Sequence, residues 1–318
     1  MKKPLAVIVG PTAVGKSNAA VEVASRLNCE IISVDSMQIY KGMNIGTAKI
    51  LSQEMISGDG KYVPHHLIDI IEPWENFSVA TFQARARALI DEIHNRDKLP
   101  LLVGGTGLYV QAVIDQYEFS DHEKENELRR QLINRGETLG YEALHDELKA
   151  VDEKASDKIH PNDKKRIIRA LEYYYSTRKK FSDKVVNKFD SLYKLALIGL
   201  TLDRKLLYER INFRVDDMLS SGLVDEVKNL LNQGVSVEAT SMQGLGYKQI
   251  AEFCLGRLSY DEAVRQLKRD TRRFAKRQLT WFKRDKRIEW LDVDHKNKVL
   301  LAEEIADIIC RRLELIVE

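Results

Sequence analysis

The sequence predicts an α/β fold: a P-loop parallel sheet flanked by helices, with a helical insertion domain. Three observations carry this. Short apolar runs alternate with helical patterns over residues 5–103. The stretch GPTAVGKS joins the first run to the first helix, and from about Gln116 to Leu192 the strand pattern gives way to charged, helical sequence.

Taken in order, Leu5 to Val9 suits a buried parallel strand, followed by a Gly-rich turn and a helix from about Lys16 to Leu27. Glu30 to Val34 reads as a second buried strand, ending at Asp35. Ser78 to Arg96 has helical apolar spacing, with Ser78 as its N-cap. Leu99 to Val103 is a third strand, closed by GGTGLY. Tyr193 to Asp203 restores a strand after the insertion. A long amphipathic helix is expected from about Tyr260 to Arg284, then a short strand at WLDV and a last helix from about Val299. The expected domains are therefore 1–115 with 193–318 as the P-loop core, and 116–192 as the insertion.

Composition narrows the class. The chain has 318 residues, 44% of them hydrophobic, enough for a sizeable core, and a net charge of only +2. Cys29, Cys254 and Cys310 are scattered and form no CxxC pair, so neither a zinc site nor a disulfide framework is indicated. Leu5 to Val9 is too short for a signal peptide's apolar region or a membrane span. A cytoplasmic protein with no membrane partner is expected.

The phosphate site comprises Gly10, Pro11, Thr12, Ala13, Val14, Gly15, Lys16 and Ser17. Its glycines let backbone N–H groups wrap an anion, and the helix N-terminus adds a favourable dipole. Lys16 would meet the outer phosphate, and the Ser17 hydroxyl would ligate Mg²⁺. The acid that usually accompanies such a loop is missing, because the third strand delivers GGTG, a backbone-rich anion nest with the hydroxyl of Thr106. Asp35 is the acid that stands at a strand end. Asn187, Lys188 and Asp190 spell a guanine-reading pattern, but in a polar segment with no strand before it. The loop binds phosphates; a nucleotide is not established.

Further stretches share one pattern: DSMQIYKGMNIGTAK (Asp35 to Lys49), PHHLID (Pro64 to Asp69), GGTGLY (Gly104 to Tyr109), PNDKKRIIRALE (Pro161 to Glu172), LYERINFRVDDML (Leu207 to Leu219) and RRFAKRQLTWFKR (Arg272 to Arg284). In this order, with GPTAVGKS, the chain resembles the tRNA dimethylallyltransferases of the bacterial type. Eukaryotic members can carry a zinc finger after the core, and no such pattern follows here. Ile50, where relatives often have Pro, is a local departure that touches nothing catalytic. The resemblance implies transfer of a dimethylallyl group from dimethylallyl diphosphate to the exocyclic amine of adenosine 37, beside the anticodon. It implies tRNA, through its anticodon stem-loop, and that diphosphate as partners, and no protein partner. The loop would then hold the donor's diphosphate.

The acceptor amine is a weak nucleophile, since its lone pair is delocalised into the purine, so a carboxylate that takes its proton is expected. Asp35 matches the family's catalytic acid. Lys16 and the loop amides would stabilise the departing diphosphate, and Thr106 and Arg214 match family positions that contact it. Asp35, Ser36, Met37 and Gln38 resemble the base-contacting segment, with Gln38 able to pair with an adenine edge. Eleven basic residues, Arg273 and Arg277 among them, lie between Asp261 and Arg287, interleaved with Phe274, Trp281 and Phe282. That stripe suits RNA phosphates and stacking. Lys165, Arg166 and Arg169 fall in a segment the family uses on tRNA. At least one of Tyr173 to Tyr175 is expected in a core. His65 and His66 have no metal-binding company and are expected to shape a wall of the site. The rivals are an isopentenyltransferase of free adenine nucleotide, which leaves the basic helix unexplained, and a P-loop small-molecule kinase, which GGTG argues against. A non-catalytic RNA-binding protein is a third, opposed by Asp35 beside a complete anion loop.

Overall fold

Both faces of the sheet are covered by helices, which is why its central strands are apolar without alternation. The computed structural model describes residues 2–117, 126–183, 190–294 and 296–315. Among them the strands are β1 (Pro4–Val9), β2 (Cys29–Val34), β3 (His65–His66), β4 (Leu99–Gly104), β5 (Lys194–Thr201) and β6 (Glu289–Asp292). They form one sheet in the order β3-β2-β4-β1-β5-β6, with every pairing parallel. The helices before the insertion are α1 (Lys16–Arg26), α2 (Val79–His94) and α3 (Gly107–Ile114).

Successive side chains point to opposite faces. Ala6 and Ile8 of β1 join Ile31, Leu101 and Ile198 in one core, with Ala20 and Val23 of α1. Leu5, Val7 and Val9 join Ile32 and Leu102 in the other, with Phe82 and Ile90 of α2 and Val113 of α3. The expected cap is present: Thr81 N–H donates to Ser78 Oγ at 3.0 Å. Because β4 lies between β1 and β2, the chain reverses its strand order there. In open parallel sheets this switch leaves a crevice at the carboxyl ends of the strands, and the P-loop and Asp35 both lie at that edge.

The chain divides into two compact units, 1–116 with 189–318, and 117–188. The second contains α4 (Asn126–Leu139), α5 (Tyr141–Val151), α6 (Glu153–Ser156) and α7 (Lys164–Thr177), packed around Leu132, Leu144, Leu148, Ile167 and Leu171. The first continues after β5 with α8 (Arg204–Ser220), α9 (Leu223–Asn232), α10 (Tyr247–Cys254), α11 (Tyr260–Phe282) and, after β6, α12 (Lys298–Leu313). Leu301, Ile305 and Ile309 of α12 complete the core beside α1. No helix among the described residues is long and apolar enough to cross a membrane.

Strand β3 has no apolar pattern and is held by charge instead. Its partner strand carries Glu30, 3% exposed. That carboxylate accepts from Arg96 Nε at 3.2 Å and Nη2 at 2.7 Å, and it lies 2.7 Å from His66 Nε2 and 3.1 Å from Lys98 Nζ. Burial alone would raise the Glu30 carboxyl, but the hydrogen bonds from Arg96, His66 and Lys98 outweigh it and hold it at about 2. A depressed carboxyl contributes stability above its unfolded value, near 4.5, and loses it as pH falls toward 2. Glu30→Gln is therefore expected to cost ~3 kcal/mol at pH 7 in urea unfolding, with the gap to wild type closing below pH 4.5. A pH-independent gap would mean that the pair does not act through charge.

Candidate active site

Gly10 follows β1 with φ 153°, and a Cβ on it would sit 2.6 Å from the Leu200 carbonyl oxygen. Ala13 (φ 63°) and Gly15 (φ 101°) bend the loop into α1. No side chain caps this helix and no acid stands in its first turn, so its N-terminal N–H groups are left for an anion. Lys16 folds back over the loop, its Nζ donating to the carbonyls of Gly10 (2.9 Å) and Pro11 (2.7 Å).

The loop forms one side of a cleft of about 550 Å³, lined also by Ser17, Asp35, Gly105, Arg214 and Gln278. Helix α8 supplies Arg210, Arg214 and Asp217 to it, three and four residues apart on one face, while Leu207, Ile211 and Val215 are buried on another. Burial, and then the neighbouring Arg214 charge, bring the Lys16 ammonium down to about 7, with Asp35 opposing. Burial also lowers Arg214, against the pull of Asp35, Glu54 and Asp217. Two basic side chains thus share a poorly hydrated space. Asp35 Oδ1 accepts from Met37 N–H at 2.8 Å, and no donor to its second oxygen occurs among the described residues.

Lys16, Ser17, Asp35 and Arg214 are brought together; other expected residues stand differently. Thr12, Ala13 and Gly15 line the cleft, whereas Pro11 and Val14 are buried behind it. Thr106 is not among the lining residues; its Oγ1 accepts from Ser36 N–H at 3.4 Å. The glycines of GGTG answer close packing and not a positive φ. A Cβ on Gly104 would lie 2.1 Å from the Val34 carbonyl oxygen, one on Gly105 2.2 Å from Gln278 Nε2, and one on Gly107 2.2 Å from the Trp281 ring. The Gln38 amide is engaged within the protein, accepting from Ser33 Oγ at 3.0 Å and donating to Thr47 (3.3 Å) and Ala48 (3.4 Å) carbonyls. Met37 sulfur lies against Gly244.

The basic stripe is narrower than its sequence implies. Arg265, Lys268 and Arg269 pair with Glu262, Asp216 and Asp270, Arg272 donates to Asn212, and Arg287 is locked between Asp115 and Asp285. Arg273, Lys276 and Arg277 remain exposed on one face of α11, Arg273 lying 3.6 Å from Asp270, and Lys283, Arg284 and Lys286 are exposed just beyond its end. Phe282 is core and Trp281 packs beside it, so neither is free to stack on a base; Phe274 lines the cleft. In α7, Lys165 and Arg166 are exposed while Arg169 turns to the buried Glu172 (3.2 Å). Tyr175 packs against the core of that unit and donates to Glu147. Asn187, Lys188 and Phe189 lie outside the described residues.

His65 and His66 face opposite ways. His65 lines the cleft with Nδ1 2.9 Å from the Val63 carbonyl oxygen, and burial lowers its pKa, while His66 meets Glu30. Among the described residues no group of three or more His, Cys, Asp or Glu could hold a metal. The exposed Ser17 hydroxyl at the cleft is a hard oxygen donor, which fits Mg²⁺ bound mainly through its phosphates and water.

Sequence reasoning missed the groups that fix residues 44–49. Glu226 accepts from the N–H groups of Asn44 and Ile45 (2.8 Å each) and Gly46 (3.1 Å), and from Tyr247 Oη at 2.5 Å. Buried Lys49 donates to the Tyr40 carbonyl (2.7 Å), Asn44 (2.9 Å) and Asp69 (2.5 Å). It also missed Gln278; the available signal was a polar residue on the buried face of α11, spaced with Ala275 and Phe282.

An anion docking on Lys16 raises its pKa from about 7, so binding above neutrality takes up a proton. For inorganic diphosphate at pH 8, calorimetry in two buffers of different ionisation heat is expected to show Lys16→Arg, charged at every working pH, taking up about one proton less than wild type. Equal uptake would contradict the lowered Lys16.

The description IPP transferase belongs to the family model that matches residues 38–285. The chain is 51% identical over 307 residues to a tRNA dimethylallyltransferase of Carboxydothermus hydrogenoformans, covering 96% of this chain and 97% of that one. It is 49% identical to the one of Geobacillus thermodenitrificans over 317 residues, covering 99% of each. The full-length tRNA isopentenylpyrophosphate transferase of Bacillus halodurans superposes with TM-score 0.74 at 47% identity, over 99% of this chain and 97% of that one. A eukaryotic dimethylallyltransferase acting on tRNA superposes with TM-score 0.77 at 30% identity, over 92% of this chain and 74% of that one. The matched region begins just after the P-loop and Asp35, while the relatives align across those residues too, and the chain belongs to the IPP transferase family.

Proposed function

We propose that the chain transfers a dimethylallyl group from dimethylallyl diphosphate to the exocyclic amine of adenosine 37 in the anticodon stem-loop of tRNA, releasing diphosphate. Transfer of a dimethylallyl group to tRNA is the activity in the names of its relatives. The observation that carries the reading for this chain is the meeting of Lys16, Arg214 and Asp35 in one cleft beside an uncapped helix N-terminus. Two cations and a row of amides suit a leaving diphosphate, and a carboxylate with one unengaged oxygen suits a proton acceptor.

In the reaction, the adenosine nitrogen forms a bond to the allylic carbon as the carbon–oxygen bond breaks. The electron pair of that bond leaves with the diphosphate, and the proton of the amine passes to Asp35. Lys16, charged once the diphosphate is seated, and Arg214 stabilise the growing negative charge with the loop amides. Ser17 would hold Mg²⁺, which when bound neutralises diphosphate oxygens. The base must leave its stack to reach such a cleft. Exposed Arg273, Lys276 and Arg277, and Lys165 and Arg166 of the second unit, suit backbone phosphates. A cytoplasmic site of action accords with that substrate.

The test is transfer of label from dimethylallyl diphosphate to unmodified tRNA, with AMP and a tRNA lacking the adenosine beside the anticodon in parallel. Label is expected only in the first. Label in AMP would move the activity to free nucleotide, and none anywhere, with ATP consumed, would return the loop to a kinase role. Asp35→Asn is expected to slow transfer by ~10²–10⁴ while leaving diphosphate affinity within about twofold. Near-normal turnover would remove Asp35 as the base.

A further inference from the structure

Gln278 lies on the buried face of α11 with 7% of its surface exposed, and both ends of its amide are engaged. Its Oε1 accepts from Thr12 N–H at 2.9 Å, and its Nε2 donates to the Gly105 carbonyl at 3.0 Å. One side chain therefore ties the loop after β1 to the loop after β4. Only a carboxamide presents an acceptor and a donor side by side at that reach; Glu lacks the donor and Lys the acceptor. The fit is close, since a Cβ on Gly105 would lie 2.2 Å from Nε2.

A second observation points to the anion loop. The residue after Thr12 is Ala13, held at φ 63°, a conformation that residues with a Cβ rarely adopt. Such strain persists where the surroundings over-determine it. Gln278 fixes the peptide N–H immediately before it, leaving the amides from Ala13 to Ser17 to face an anion.

We infer that Gln278 is a positioning residue for the donor: it holds the first half of the P-loop in the conformation that binds diphosphate. This rests on the reading of the loop as a diphosphate site. Gln278→Met keeps the length and removes both hydrogen bonds. The Kd for inorganic diphosphate and the KM for dimethylallyl diphosphate are expected to rise about tenfold, because the Thr12 N–H and the buried Gly105 carbonyl both lose the partner that holds the loop. The KM for tRNA is expected to stay within twofold. Gln278→Glu keeps the acceptor for Thr12, which preserves the fold if the methionine variant does not fold. It gives up Gly105 and brings a negative charge to the loop, so its diphosphate affinity is expected to fall at least as far. Wild-type affinity in either folded variant, with only a lowered Tm, would leave Gln278 a purely structural contact and overturn the inference. Wild-type protein that binds no diphosphate would instead overturn the reading of the loop.

Discussion

Burial of two basic side chains, Lys16 and Arg214, in one cleft is the constraint on which the site depends. Both are confined in one cleft, burial lowers both, and Arg214 lowers Lys16 further. Folding brings two like charges together only where other contacts force it. Here α1 and α8 are fixed by the apolar faces they bury; α1 begins at Lys16, in line with buried Ala20 and Val23, and α8 turns Arg214 into the cleft beside its buried face. Asp35 offsets part of the repulsion, and a diphosphate would offset the rest. The same imbalance keeps the lysine proton loosely held without an anion and firmly held with one, which suits a group that must be charged when negative charge develops.

Around that centre, much of the chain serves to hold loops still. Glu226 acts as an internal anion in a nest of backbone amides at residues 44–46, and buried Lys49 gathers Tyr40, Asn44 and Asp69. Glu30 binds β3 so that His65 faces the cleft. Gln278 ties the two loops at the carboxyl ends of β1 and β4. These contacts are polar because loops at a sheet edge cannot bury enough apolar surface to be fixed by packing alone.

The sheet was legible because its central strands are covered on both faces, which makes Leu5–Val9 and Leu99–Val103 continuous apolar runs. Strand β3 was not, since two histidines have no period and are held by Glu30, far away in sequence. The P-loop announced itself by spacing, and Asp35 by standing where a strand ends. The glycines of GGTG were visible, but their reason was not: three neighbours approach them from β2 and α11, and no local rule reveals that. The basic residues of α11 and the turn after it read as one stripe because charge counting does not see partners such as Asp216 on α8, which holds Lys268, or Asp115 after α3, which holds Arg287. Arg169 is different; Glu172 three residues on already signalled an ion pair within one helix face.

In the proposed reaction the diphosphate site and the carboxylate act on the same carbon–nitrogen encounter. A crystal structure with tRNA and an unreactive analogue of dimethylallyl diphosphate tests it most directly. The diphosphate is expected on the loop amides, Lys16 and Arg214, with the adenosine amine between the allylic carbon and the second oxygen of Asp35. A diphosphate seated away from the loop, or an amine beyond hydrogen-bond reach of Asp35, would contradict it.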